Sequence, residues 1–180
     1  SQGVCGYVTM QGDPREDEDT EAIVQAALRY RVLGKNFMAK IPVIMGGLEA
    51  IEACVEEDIP VCATEVFSMA QAISICDLYQ RAAERTGNHP PFYVTHITGI
   101  FDEYLGKVAK RAALQISPAV RSQAGGTLAR RDYRMLKEQG YETMKLGGGA
   151  RGTQHFTEMV GGDVHVTINW STAQELIEAD

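Results

Sequence analysis

Strand-like and helix-like segments alternate six times along the 180 residues, and this alternation restricts the fold more than any other feature of the chain. Residues 5–11, 37–43, 61–67, 92–98, 143–147 and 163–170 read as strands, each bounded by Gly, Pro or Asp. Apolar residues at helical spacing predict helices over 18–33, 48–57, 68–85, 101–115, 128–139 and 153–160. A last helix is expected over 172–178 with Ser171 as its cap. Residues 117–126, with Pro118 and the Gly125-Gly126 pair, read as irregular.

Such an alternation implies a parallel sheet, and two architectures fit it: a closed α/β barrel and an open doubly wound sheet. The strands favour the barrel. Tyr7, Thr9 and Gln11 share one face, as do Met38, Lys40 and Pro42, and His165, Thr167 and Asn169. Central strands of an open sheet are usually apolar on both faces, whereas a barrel interior carries polar groups towards its catalytic end.

Composition narrows the function classes. Seventeen Lys and Arg against 24 Asp and Glu give a net charge of −7, with no basic stripe to suit nucleic acid. The densest charged run, Arg15 to Asp19, is acidic and reads as a solvated helix start. No stretch approaches the roughly 20 apolar residues of a membrane span, and no secretion signal is visible. Cys5, Cys54, Cys62 and Cys76 show no C-x-x-C spacing and read as reduced thiols of a cytoplasmic protein, with no metal and no cofactor implied.

Lys40 stands in the middle of the second strand. A buried ammonium costs several kcal/mol unless it is paired or neutralised. Desolvation favours the neutral amine, which can attack a carbonyl. The pattern alone leaves an internal ion pair, or a strand end that reaches water, equally open. Lys145, mid-strand in the fifth strand, competes for the same role; a lysine paired with a carboxylate suits it better.

The segment Phe37-Met38-Ala39-Lys40-Ile41-Pro42-Val43-Ile44-Met45-Gly46-Gly47-Leu48 resembles the Schiff-base lysine signature of the transaldolase family, which includes fructose-6-phosphate aldolase. Gln11-Gly12-Asp13-Pro14-Arg15 is similar to the ending of that family's third strand, and Phe67-Ser68-Met69-Ala70-Gln71 to its fifth-strand junction. Gly147-Gly148-Gly149-Ala150-Arg151 lies where its seventh strand ends. The resemblance implies a (β/α)8 TIM barrel of which this chain carries six βα units, strands three to eight. It implies a lysine imine at Lys40, a catalytic water near Thr64 and Gln11, and a sugar or sugar-phosphate substrate. Arg151, Gly149, Thr95 and Asn169 complete the substrate side.

Departures qualify that expectation. The family's first two βα units, with an aspartate used in proton transfer, have no counterpart here. A homo-oligomer or a further N-terminal segment is therefore expected, since six strands leave sheet edges. Ile100 stands where the family has a second phosphate arginine, which points to a different terminal group on the substrate. Cys62 replaces a substrate-holding asparagine, His96 a proline, and Glu65 an apolar residue expected to pair with Lys145 or lie at the strand mouth. Transaldolase, aldolase and a non-catalytic sugar-phosphate-binding remnant all remain compatible. An open-sheet nucleotide binder is the alternative outside this family, although residues 147–152 lack the G-x-G-x-x-G order.

Overall fold

The computed structural model describes residues 6–179. Six strands form one sheet: β1 (Val8–Gln11), β2 (Phe37–Pro42), β3 (Val61–Val66), β4 (Phe92–Ile97), β5 (Met144–Gly148) and β6 (Val164–Val166). Each pairs in parallel with its sequence neighbour, giving the order β1-β2-β3-β4-β5-β6. A doubly wound sheet reverses its strand order at a switch point; this sheet does not. Right-handed crossovers that always advance in one direction place every connecting helix on the same face. The result is six consecutive βα units of an α/β barrel, and the choice left open by the sequence is settled by strand order.

The helices are α1 (Thr20–Arg31), α2 (Met45–Glu56), α3 (Met69–Thr86), α4 (Gly99–Arg111), α5 (Pro118–Glu138), α6 (Gln154–Thr157) and α7 (Trp170–Glu178). Among the described residues no helix is long and apolar enough to cross a membrane. One apolar core lies between helices and sheet. Ala39, Ile41 and Val43 of the second unit, Val61, Ala63 and Val66 of β3, and Phe92 and Val94 of β4 pack there against Ile51, Ile75, Ala82 and Leu136. Strand side chains alternate between faces. Met38, Lys40, Pro42, Cys62, Thr64, Tyr93 and Thr95 therefore look away from the helices, towards the barrel interior.

Four local expectations are corrected. The stretch read as irregular opens α5: the Ser117 hydroxyl caps it at the Val120 N–H, 3.3 Å away, and Pro118 occupies its first turn. Gly125 sits inside this helix because a Cβ there would collide with the Thr98 carbonyl; close packing, not a turn, explains it. The sixth strand ends at Val166, and the cap of α7 is Asn169, not Ser171. Its carboxamide oxygen accepts from the Thr172 N–H at 2.9 Å, so the Ser171 hydroxyl bonds to Asn169 instead. The first strand begins at Val8; Cys5 lies outside the described residues.

Candidate active site

The register of the sheet aligns Gln11 with Lys40, Lys40 with Cys62, and Cys62 with Tyr93, so their side chains share one row of the inner face. Pro42 aligns with Thr64 one pair of residues nearer the C-terminal ends of the strands. That end is where α/β barrels carry their chemistry, since the βα loops converge there. Lys40 is half-buried and makes no ion pair among the described residues. Thr64 and Thr95 are buried, and Gln11 is exposed at the sheet edge. Cys62 Sγ lies 3.3 Å from Thr95 Oγ1. Burial pushes the Cys62 thiol above its ordinary pKa, while Thr95 and the positive charge of Lys40 pull the other way.

Beyond Ala63, β3 carries a bulge: Ala63 pairs with Val94 but Val66 pairs with His96. Two residues on β3 thus oppose one on β4. Glu65 takes up the extra length at φ 62°, a left-handed conformation uncommon for a side chain of this kind. Ala63 and Val66 both remain in the helix-side core, which keeps Glu65 out of it and exposed. Gln71, in the first turn of α3, closes the bulge. Its amide oxygen accepts from the Phe67 N–H at 3.0 Å. Its amide nitrogen donates to the carbonyls of Val43 at 3.2 Å and Glu65 at 3.4 Å. The ends of the Lys40 and Thr64 strands are thereby tied to one side chain.

Lys145 is differently placed. It points to the helix side, 3% exposed, and is bonded to Asp132 of α5, which is fully buried. Its partner is Asp132 and not Glu65, which the bulge turns to solvent. His96 Nδ1 lies 3.3 Å from the same carboxylate oxygen. Burial opposes the charged form of Asp132, but His96 and Lys145 outweigh it and hold the carboxyl below its usual pKa. Burial also lowers the pKa of His96 and of Lys145, against the pull of Asp132.

The glycine-rich turn after β5 forms a second locus. Gly149 adopts φ 63°, and a Cβ there would press on Ile97 and Ile100. Arg151 is exposed; its Nε donates to Glu103 at 3.2 Å and one terminal nitrogen to the Ala150 carbonyl at 3.0 Å. Its backbone N–H donates to His155 Nδ1 at 3.1 Å, so His155 Nε2 carries the proton donated to Asp102 at 2.9 Å. The other Asp102 oxygen accepts from the Gly125 N–H at 2.7 Å. This buried Asp102–His155 pair fixes the Arg151 backbone. No sequence signal linked the two residues. Thus Gln11, Lys40, Thr64 and Thr95 gather on neighbouring inner-face strands, Gly149 and Arg151 sit on the β5 loop, and Asn169 is engaged as the cap of α7. Among the described residues no three His, Cys, Asp or Glu side chains gather as a metal site requires.

The family described as "Transaldolase/Fructose-6-phosphate aldolase" matches the chain over residues 2–180. A Mycobacterium tuberculosis (strain ATCC 25618 / H37Rv) protein named transaldolase is 30% identical over 165 residues, covering 82% of this chain and 43% of the relative. The transaldolase of Mycolicibacterium paratuberculosis is 32% identical over 165 residues, with the same coverage of 82% and 43%. That of Mycobacterium leprae (strain Br4923) is 32% identical over 171 residues, covering 86% and 44%. The chain therefore spans less than half the length of these curated relatives.

Proposed function

Since the chain belongs to the transaldolase/fructose-6-phosphate aldolase family, we propose that Lys40 is the amine of a Schiff-base aldol reaction on a ketose or ketose phosphate in carbohydrate metabolism. The observation that carries this reading is the contrast between the two mid-strand lysines. Lys145 is locked to Asp132 in the helix layer, whereas Lys40 makes no ion pair among the described residues and stands half-buried on the inner face, in a row with Gln11 and Cys62.

The neutral amine of Lys40 adds to the C2 carbonyl and loses water to give an imine, protonated in its reactive form. The C4 hydroxyl then gives up its proton and the C3–C4 bond breaks. Its electron pair moves into the iminium, leaving an enamine on Lys40 and releasing an aldehyde. A transferase reverses these steps with a second aldehyde; an aldolase protonates the enamine and hydrolyses the imine. Gln11 and Thr64 supply an amide and a hydroxyl to hold the water that exchanges these protons. Thr95, Gly149 and Asn169 border the substrate, and Arg151 takes an anionic terminal group through its forked donors.

Incubating the chain with a ketose phosphate and an acceptor aldehyde tests this. A new ketose product indicates transfer, and free dihydroxyacetone indicates the aldolase. Conversion that survives Lys40→Met contradicts the proposal.

A further inference from the structure

An apolar cavity of about 310 Å³ opens at the C-terminal ends of the strands, lined by Phe67, Ile100, Phe101 and Tyr104. None of the four carries a charge. Phe67 follows β3 on the Thr64 side of the sheet. Cys62 and Thr64 look into the barrel, the bulge takes up Glu65, and Val66 returns to the helix-side core, so Phe67 turns inward again. It stands at most about 10 Å above Thr64. Ile100, Phe101 and Tyr104 lie on the first turns of α4, directly after β4. The Ile100 N–H donates to the Gly149 carbonyl at 3.1 Å, which hangs this end of α4 on the β5 loop. A Cβ on Gly149 would lie 3.1 Å from Ile100 Cδ1, so Ile100 forms the border between the cavity and the loop that carries Arg151. Phe67 and Phe101 are half-buried, whereas Tyr104 is 57% exposed and Ile100 37%.

We infer that this cavity receives the apolar substituent of the aldehyde partner in the aldol reaction, an aliphatic or aromatic aldehyde. The aldehyde as occupant rests on the Lys40 reading; the apolar character rests on the cavity itself. A sugar hydroxyl or a phosphoryl group placed there would shed water and find the Tyr104 hydroxyl as its one side-chain partner on the wall. Three rings and an isoleucine favour hydrocarbon instead. The volume suits a small molecule, and four side chains are too few for a protein interface. In the addition step, the enamine double-bond pair on Lys40 forms the new carbon–carbon bond to the aldehyde carbon. The carbonyl π pair moves to the aldehyde oxygen, which takes a proton and becomes the C4 hydroxyl. Water then hydrolyses the iminium, releasing the ketose and restoring the Lys40 amine. Throughout, the substituent stays in the cavity, and Arg151 remains for the anionic end of a donor ketose.

The first probe is benzyl alcohol, which cannot form an imine, with the Ile100 δ1 methyl followed by NMR. A saturable shift is expected, kept in Lys40→Met and weakened about fivefold or more in Tyr104→Ala. Val160→Ala, at an exposed apolar residue outside the cavity, should bind as the parent does. Circular dichroism checks that each variant is folded, and Phe101→Ala gives a second reading should Tyr104→Ala misfold. The second probe is the aldol addition of dihydroxyacetone to propanal, butanal and pentanal. Here kcat/KM should rise by about two- to fourfold per methylene in the parent and stay nearly level in Tyr104→Ala. Borohydride trapping of dihydroxyacetone on Lys40 is measured alongside. Trapping on Lys40 with no saturable shift at Ile100, or with a level aldehyde series in the parent, overturns this inference alone. Saturation at Ile100 with no adduct on Lys40 overturns the Lys40 reading instead, and the aldehyde occupant with it.

Discussion

Asp132→Asn is the sharpest test of the division of labour between the two lysines. The substitution keeps the shape of the side chain and removes its charge. Asp132 is fully buried and Lys145 is 3% exposed, so an ammonium would be left in the core without its counterion. Breaking a buried pair on one side costs about 3–5 kcal/mol. For a chain of this size, that is a fall in Tm of about 6–20 °C. Urea unfolding followed by circular dichroism measures the loss directly. The deficit should also depend on pH. Burial already lowers the pKa of Lys145, and removing Asp132 takes away the influence that opposes burial. Below the unfolded value of 10.5 the unfolded chain then binds the extra proton. Stability of the variant should therefore recover as pH rises towards 10.5, by at most about 1.4 kcal/mol per unit. Replacing both partners by apolar residues, Asp132→Leu with Lys145→Met, should restore most of the stability, because neither charge remains to be solvated. A single variant that loses under about 1 kcal/mol, or a double variant as unstable as the single, would refute the buried-pair argument.

Gln71→Leu should reduce turnover by about 100-fold with little change in KM, because it unties the ends of the Lys40 and Thr64 strands. Gln71→Glu keeps the acceptor for the Phe67 N–H and should recover part of that loss in steady-state kinetics; equal damage in both would exclude a positioning role. Cys54, Cys62 and Cys76 are buried, and burial pushes the thiols of Cys54 and Cys76 up to about 12. None of the three should react with an aromatic disulfide reagent at neutral pH until the chain is unfolded, as peptide mapping of the modified sites would show.

The alternation of strands and helices was legible because each unit carries its own period and its own stop. The polar inner face was legible in part, since Thr9 and Gln11 share one face of their strand at period two and Lys40 stands on the face of Met38 and Pro42; Thr64 was reached only through the family resemblance. Other features depend on contacts that no local pattern records. The Gly125-Gly126 pair has the composition of a turn, yet α5 runs through it because α5 packs against the Thr98 carbonyl. Ser117-Pro118 was the readable start signal for that helix, and the glycines masked it. Asp132 lies 13 residues from Lys145 and one layer away, so its pairing follows from how α5 folds back on the sheet. Glu65 was the natural partner by position, and the left-handed bulge removed it. The Asp102–His155 pair joins residues 53 apart in the chain and leaves no trace in either neighbourhood.

The most direct measurement is mass spectrometry after borohydride reduction in the presence of a ketose substrate. Reduction fixes a lysine imine as a stable secondary amine. One three-carbon dihydroxyacetone addition is expected on the peptide containing Lys40, and none in Lys40→Met. An adduct on Lys145, or no adduct on any lysine while the chain turns over substrate, would contradict the assignment.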